Sequence, residues 1–265
     1  MTWDPTQYLK FGSDRLRPAL DLLARVGLEA PRVVIDLGCG AGNVTQCLRA
    51  RWPDAKSTHI IGVDASPEML ARAHKTEPSA EWVLADIGTW QPEAPVDLIF
   101  SNAALHWLPD HATLFPRLME FIKPGGELAV QMPNQTSAPS HAGIAECIEA
   151  SHWRSETKVE LLAKRLAPIA GQTEYYDWLA PQAQRIDQWE TLYTHVLAGV
   201  PPGSSAVAEW TQSTALKPIM NALDAAGQAW FWSDYCRRMN EAYPRRADGT
   251  TLFPFRRLFT VALKK

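Results

Sequence analysis

The chain has 265 residues, of which 46% are hydrophobic and 21% are charged, and its formal net charge is -3 at pH 7. This composition is typical of a globular protein with one large domain or a core with a cap, and it excludes an overall basic field that attracts nucleic acid. The four cysteines form no Cys-x-x-Cys pair, the histidines show no metal-ligand spacing, and no apolar run is long enough to span a bilayer. We predict a cytoplasmic protein with no metal and with no membrane or nucleic-acid partner.

The first elements predict a nucleotide-binding corner. After a helix that begins near Ser13, the apolar run Val33–Leu37 is typical of a strand buried on both faces. The glycine turn 38–42 and a helix that starts at Asn43 follow at once, which is the corner of an open α/β sheet where nucleotides bind. The G-x-G-x-G spacing differs from the dinucleotide motif. Asp36 is a poor neighbour for a phosphate and would suit a ligand with an ammonium or sulfonium group.

The next two predicted strands end in acids. Thr58–Asp64 places Asp64 where an α/β site holds ribose hydroxyls, although Asp64 could instead belong to the start of the helix that Ser66 caps. Glu81–Ile87 ends with Asp86, a candidate acceptor for the exocyclic amine of an adenine, with Ile87 against the ring. The alternative for Asp86 is a loop cap.

Strands continue to alternate with helices along the chain. Val96–Asn102 is a fourth strand, Asp110–Ile122 a helix and Glu127–Met132 a fifth strand, which predicts a parallel, doubly wound sheet. The later part is mostly helical, with two more strands predicted at Trp189–Leu197 and Leu258–Leu263. We expect residues 1–133 to form an α/β core with an N-terminal lid helix. Residues 134–265 are expected to form helical cap insertions and the last two strands of a single domain.

Four ordered motifs resemble those of class I S-adenosylmethionine-dependent methyltransferases, namely Asp36–Gly42, Gly62–Asp64, Ala85–Ile87 and Ser101–Trp107. The resemblance implies a Rossmann-like, mostly parallel seven-stranded sheet with its last strand reversed, and an inserted helical lid. It also implies S-adenosyl-L-methionine as cofactor and S-adenosyl-L-homocysteine as product. The cofactor-binding residues that it implies are Asp36, Gly38, Gly40, Asn43, Asp64, Ala65, Met69, Asp86, Ile87, Asn102 and His106.

A closer similarity covers nearly the whole chain. Segments such as His106–His111, Ala129–Pro133, Tyr193–His195 and Arg257–Phe259 resemble the trans-aconitate 2-methyltransferases. That family methylates a carboxylate of trans-aconitate to the monomethyl ester, which implies a small anionic carboxylate, trans-aconitate or a related polycarboxylate, as the substrate here. The chain departs from the family at Ala41, where it can carry proline, and at His106, where it can carry glutamine.

A carboxylate acceptor needs little chemical help from the protein. It is ionised at pH 7, so we predict no general base and no catalytic residue beyond those that position the reactants. Cationic and hydroxyl donors suit a polycarboxylate, and Tyr8 and Trp107 are candidates for walls of the methyl channel. The candidate substrate residues are Tyr8, Arg17, Trp107, Tyr193, His195 and Arg257. Five of them could instead have no role in binding. Arg17 and Arg257 could be solvent-exposed surface residues, Tyr193 and His195 could form one face of a half-buried strand, and Trp107 could belong to the hydrophobic core.

Two other functions remain open from the sequence. One is a methyltransferase for a phenol or an amine, which needs a general base, and His106 or His195 would then be that base. The other is a cofactor-binding protein without activity. In each case we expect a monomer or a weak dimer.

Overall fold

The computed structural model describes residues 12–164 and 167–265, with side chains from Leu16 onwards; the candidate Tyr8 lies outside these ranges. The strands are β1 (Val33–Leu37), β2 (His59–Asp64), β3 (Glu81–Leu84), β4 (Val96–Asn102), β5 (Ile122–Pro133), β6 (Ala183–Leu197) and β7 (Thr251–Lys264). The helices are α1 (Gly12–Leu23), α2 (Asn43–Arg51), α3 (Pro67–Thr76), α4 (His111–Glu120), α5 (Pro139–Ala150), α6 (Ser155–Ala163), α7 (Gln172–Leu179), α8 (Ala206–Gln212), α9 (Lys217–Ala222) and α10 (Ala225–Ala242). A short 3-10 helix, η1 (Leu105–Trp107), follows β4.

The seven strands form one sheet in the order β3-β2-β1-β4-β5-β7-β6. The strands β1 to β5 pair in parallel, and β7 runs antiparallel to β5. This topology confirms the predicted doubly wound α/β fold with its last strand reversed. The chain builds outward from β1 to β3 and then returns to place β4 on the other side of β1, so the order reverses between β1 and β4. In open α/β sheets, ligands bind outside the carboxyl ends of the strands at such a point.

The chain divides into two compact units. The core unit contains Ser13–Pro133, Ile169–Thr191 and Arg257–Lys265, and the helical unit contains Asn134–Pro168 and Leu192–Arg256. The core unit therefore takes in α7 and the first part of β6 from the later half of the chain. That the helical unit acts as a lid stays a prediction.

Each unit has its own apolar core. In the core unit, Ile35 and Leu37 of β1 are fully buried, as expected for a central parallel strand covered on both faces. In the helical unit, Phe231 and Tyr235 of α10 are fully buried, and the Tyr235 hydroxyl donates to the Ser140 carbonyl at 2.6 Å. Burying that hydroxyl with a partner avoids the cost of an unsatisfied polar group.

Several strand boundaries differ from those predicted. The fifth strand begins at Ile122 and not at Glu127. The third strand ends at Leu84 and not at Ile87, because the Asp86 carboxylate accepts the Gly88 N–H at 2.8 Å and closes a turn. The last two strands begin earlier than predicted. The pairing of β5 with β7 ends at Pro133 and Arg257. The β7 residues before Arg257 therefore make no ladder hydrogen bonds to β5, so Pro254, which has no N–H to donate, is tolerated there.

In the described ranges, no helix combines the length and the apolar composition needed to cross a membrane. In the same ranges, no three His, Cys, Asp or Glu side chains are grouped as a metal site requires.

Candidate active site

The glycine turn after β1 is built by backbone contacts with β2. The N–H groups of Gly38 and Cys39 both donate to the Val63 carbonyl, at 2.8 and 3.1 Å. Gly38 has φ +80°, and a Cβ there would lie 2.2 Å from the Ala104 Cβ, so only glycine fits. Gly40 has φ +54°, but a Cβ there would meet nothing within 4 Å. The turn is therefore closed on the Gly38 side and open above Gly40.

Three loops of the core unit converge on this turn. Besides Ala104, which follows β4, a Cβ on Gly38 would lie 3.6 Å from the Ile87 Cδ1, in the loop after β3. Asp64, at the end of β2, accepts the Gly40 N–H at 2.9 Å. The structure thus brings together the ends of β1, β2, β3 and β4, as the strand order requires.

Asp64 supports two pieces of backbone at once. One carboxylate oxygen accepts the Gly40 N–H and the other accepts the Ser66 N–H at 2.9 Å. Ser66 also caps α3 by accepting the Met69 N–H at 3.3 Å, so Asp64 supports the start of this helix, and its contact with a ribose stays a prediction. A carboxylate has about four acceptor positions, and two remain for the hydroxyls of a ribose.

Asp36 is buried beneath the turn, with 1% of its surface exposed. Its carboxylate accepts the Thr45 hydroxyl of α2 at 2.6 Å. Burial raises the pKa of the Asp36 carboxyl from 3.8 to about 7, the Thr45 bond opposes this, and the Asp64 charge adds to it. This geometry favours an electrostatic effect of Asp36 across the turn over direct contact with a ligand.

The candidate adenine contacts lie in the loop after β3. Asp86 is exposed and Ile87 is half-buried against the core of the core unit. Arg117 of α4 donates to the Gly88 carbonyl and fixes the loop from behind. Arg117 was not predicted, since its partner is a backbone atom 29 residues away.

The segment after β4 carries the remaining cofactor candidates. Asn102 is half-buried, and its Oδ1 is buried without a hydrogen-bond partner among the described residues. The half-buried His106 ring lies 5.1 Å from that of Trp107, which is 45% exposed. On the other side of the turn, Asn43 begins α2, whose first turn has no side-chain cap. Uncapped N–H groups of this kind bind carboxylates.

The last cofactor candidates lie at the start of α3, where Ala65 is exposed and Met69 half-buried. They lie one and five residues after Asp64, the acid predicted to hold the ribose.

The candidate substrate residues lie in different environments. In the core unit, Arg17 is exposed on α1, and Arg257 of β7 is 5% exposed, with its Nη1 donating to the Gln131 Oε1 at 3.2 Å. In the helical unit, Tyr193 and His195 are buried on β6, and the His195 ring lies 4.5 Å from that of Trp210. Their roles stay predictions.

Gln131 is a site candidate that the sequence did not indicate. It is fully buried, and its Nε2 has no hydrogen-bond partner among the described residues. Because guanidinium groups only donate, the atom facing Arg257 must be Oε1, which fixes the orientation of the amide. The sequence signal that could have indicated Gln131 is a single amide side chain within the apolar run of β5.

Comparison with known proteins agrees with this geometry. A family model described as a methyltransferase domain matches residues 34–126. The YcgJ protein from Bacillus subtilis is 15% identical with a TM-score of 0.57, covering 94% of this chain and 99% of that one. A Haemonchus contortus phosphoethanolamine N-methyltransferase, solved with S-adenosyl-L-methionine, is 16% identical with a TM-score of 0.53, covering 94% of this chain and 53% of that one. The fold and the motifs define a class I S-adenosylmethionine-dependent methyltransferase.

Two curated relatives are similar over their whole length. The trans-aconitate 2-methyltransferase of Azoarcus sp. (strain BH72) is 44% identical over 263 residues, which cover 99% of each chain. That of Methylobacterium radiotolerans is 45% identical over 262 residues, covering 99% of this chain and 98% of the relative. The chain belongs to the trans-aconitate 2-methyltransferase family.

The residues of the core unit fit the cofactor. The space above Gly40, the acceptor positions left on Asp64 and the unpartnered Oδ1 of Asn102 are what a nucleoside with an amino-acid tail requires. When bound, S-adenosyl-L-methionine supplies a methyl group already activated by its sulfonium.

Proposed function

We propose that the protein methylates one carboxylate of trans-aconitate to give the monomethyl ester. The observation that carries this proposal is the 44–45% identity to two trans-aconitate 2-methyltransferases over 99% of the chain. The identity therefore covers the helical unit as well as the core unit. A methyltransferase domain alone, matched at residues 34–126, would support only the methyl donor.

The protein's part in this reaction is to bind and orient. The acceptor carboxylate is ionised at neutral pH and needs no base. Asp64 and the glycine turn hold the nucleoside end, and the buried charge of Asp36 favours the cationic end of the methyl donor. Arg257, oriented by Gln131, presents a planar donor group that matches a carboxylate. Rate acceleration then comes from alignment of oxygen, methyl carbon and sulfur, with water excluded.

We infer that the protein acts in the cytoplasm, as a monomer or weak dimer that binds no nucleic acid. Its four cysteines are free thiols, as in reducing compartments, and its net charge of -3 gives no attraction to phosphate backbones. Light scattering of the purified protein checks the oligomeric state.

The first prediction is direct. Incubation of the protein with methyl-labelled S-adenosyl-L-methionine and trans-aconitate will yield alkali-labile label, because the expected product is an ester. Tricarballylate, the saturated tricarboxylate, is the matched acceptor for specificity, and a reaction without acceptor gives the background. Alkali-stable label on an added phenol or amine, with none on trans-aconitate, would replace the proposal by a reaction that needs a histidine base.

The second prediction concerns Arg257. Arg257→Ala removes charge-assisted hydrogen bonds to the acceptor, so its KM for trans-aconitate will rise on the order of 10-fold or more, while S-adenosylhomocysteine affinity measured by calorimetry stays within about 2-fold. Arg257→Lys keeps the charge and loses the planar fork, and will fall in between.

Arg256→Ala is the matched control, because Arg256 is the adjacent, exposed residue of β7. It should leave acceptor KM unchanged. Equal loss of acceptor and cofactor binding in Arg257→Ala would reject its role as a carboxylate donor.

A further inference from the structure

The segment between β4 and α4 is held in an unusual backbone conformation. Ala103 and Asp110 have φ values of +54° and +53°, and they are the two non-glycine residues with positive φ in the described part of the chain. Left-handed conformations cost about 1 kcal/mol each for residues with a Cβ. The segment between them contains η1, with His106 and Trp107. Strain of this kind persists only where surrounding contacts impose it.

His111, at the start of α4, contacts this segment. Its Nε2 lies 3.0 Å from the Leu105 carbonyl oxygen and its Nδ1 lies 2.6 Å from the Tyr175 hydroxyl. A carbonyl only accepts, so Nε2 donates to Leu105, and in the neutral ring Nδ1 accepts from Tyr175. The result is a chain of two hydrogen bonds that runs from Tyr175 through His111 to the backbone of η1. The Leu105 carbonyl also accepts the Leu108 N–H at 2.9 Å, so the chain ends on the atom that closes η1.

Tyr175 is itself rigidly placed. It is fully buried, and its ring lies 4.6 Å from that of Phe115 and 5.2 Å from that of Trp178. Burial also raises the pKa of its hydroxyl, so the hydroxyl remains protonated and donates at neutral pH. Tyr175 lies on α7, in the insertion between β5 and β6. Within the core unit, α7 is therefore linked through His111 to the loop that follows β4.

We propose that Tyr175 and His111 are positioning residues that fix η1, and with it His106 and Trp107, at the methyl-transfer end of the site. This inference rests on the proposed function for the meaning of that end, and its structural part stands independently of the acceptor. The adenine and ribose ends depend on other contacts, made by Asp64 and the loop after β3. Loss of the pair will therefore impair use of the acceptor more than binding of the cofactor.

Tyr175→Phe is the central test, because it removes one hydroxyl and keeps the packed ring. The kcat/KM for the acceptor will fall on the order of 10-fold, the loss expected of small misplacements near reacting atoms. S-adenosylhomocysteine affinity will fall less than the acceptor kcat/KM, because His106 lies on η1 whereas the contacts of Asp64 are untouched. Tyr176→Phe is the matched control: Tyr176 is the next residue of α7 and is 53% exposed. It should behave like the wild type.

Two substitutions of His111 separate positioning from packing. His111→Gln places an amide N–H near the Nε2 position and can still donate to Leu105, whereas His111→Asn places its amide near Nδ1 and cannot. We expect His111→Gln to retain most of the acceptor kcat/KM and His111→Asn to lose it. Equal loss in both variants, together with equal drops in melting temperature, would assign His111 a structural role only and overturn the proposal.

Hydrogen exchange provides a readout without any acceptor. In Tyr175→Phe, the amides of Trp107 and Leu108 will exchange faster, and those of the glycine turn 38–42 will not change. If the wild-type protein fails to methylate trans-aconitate while this exchange pattern holds, the proposed acceptor is wrong and the positioning role stands. Unchanged exchange at Trp107 and Leu108 overturns the positioning role, whatever the acceptor.

Discussion

Asp64→Ala will lower the affinity for S-adenosylhomocysteine at least about 100-fold, because charge-assisted hydrogen bonds of about 1.5–3 kcal/mol each are lost on both sides of this carboxylate. On the protein side, Asp64 holds the N–H groups of Gly40 and Ser66 at 2.9 Å. On the ligand side we expect it to accept the ribose hydroxyls. Isothermal calorimetry with S-adenosylhomocysteine measures the loss directly. Asp64→Asn keeps the shape with one acceptor oxygen, and its loss should be smaller.

Asp97→Ala is the matched control for a carboxylate that organises backbone. Asp97 accepts the N–H groups of Arg32 and Val33 at 3.0 and 2.8 Å, at the opposite end of β1 from the glycine turn. Its removal should lower the melting temperature and leave S-adenosylhomocysteine affinity within about 2-fold, since the two ends of β1 share no contacts. Comparable loss of affinity in both variants would mean that Asp64 acts only through overall stability.

The meeting of several loops at the glycine turn was predictable from sequence, because the residues concerned follow strand ends. In a parallel sheet the carboxyl ends of neighbouring strands meet at one edge, so the order of Gly38, Asp64, Ile87 and Asn102 along the chain was enough to bring them together. Apolar runs without alternation predicted the central strands for the same reason. The reversed last strand came from the family resemblance and is confirmed by the antiparallel pairing of β7 with β5.

The side-chain partners were not predictable, because they join residues that are far apart in the chain. Gln131 and Arg257 are 126 residues apart, and His111 and Tyr175 are 64 apart. No local period or motif specifies such a contact, which depends on how β7 and α7 pack on the rest of the core unit. Even the hydrogen bond between Asp36 and Thr45, which are nine residues apart, was not predicted, because the sequence does not show that an acid before a glycine turn is buried.

The stability of Asp36→Asn relative to wild type will increase as the pH rises from about 4 to about 7. Burial raises the pKa of Asp36 to about 7 in the folded state. Below pH 3.8 the carboxyl is protonated in both states and its ionisation contributes nothing. Between the two pKa values the unfolded chain releases the proton while the folded chain retains it, so wild-type stability falls with pH. The difference between the variants saturates above pH 7 at on the order of 4 kcal/mol.

Urea unfolding of both proteins at several pH values measures this difference. The asparagine keeps an oxygen for the Thr45 hydroxyl, and its buried NH2 group adds a cost that does not vary with pH. The pH dependence is therefore the informative quantity. Asp54→Asn is the control, because backbone N–H donation from Lys56 and the Ser57 hydroxyl lower the pKa of that exposed carboxyl, which reverses the trend. A flat difference for Asp36→Asn from pH 4 to 8 would show that Asp36 ionises normally in the folded protein.

The same substitution should weaken cofactor binding, and the choice of ligand identifies the charge that Asp36 attracts. S-adenosylmethionine carries a sulfonium that S-adenosylhomocysteine lacks, and both carry the ammonium group. If Asp36→Asn at pH 8 weakens only S-adenosylmethionine, the buried carboxylate acts on the reacting sulfonium; equal weakening of both ligands assigns it to the ammonium. Retention of an acid that destabilises the folded state is expected where its charge serves binding, because sites that function are often strained relative to the most stable sequence. If the Asp36→Asn protein is more stable and binds both ligands with wild-type affinity, the charge of Asp36 does not contribute to binding. Asp36 would then only shape the turn through its hydrogen bond with Thr45.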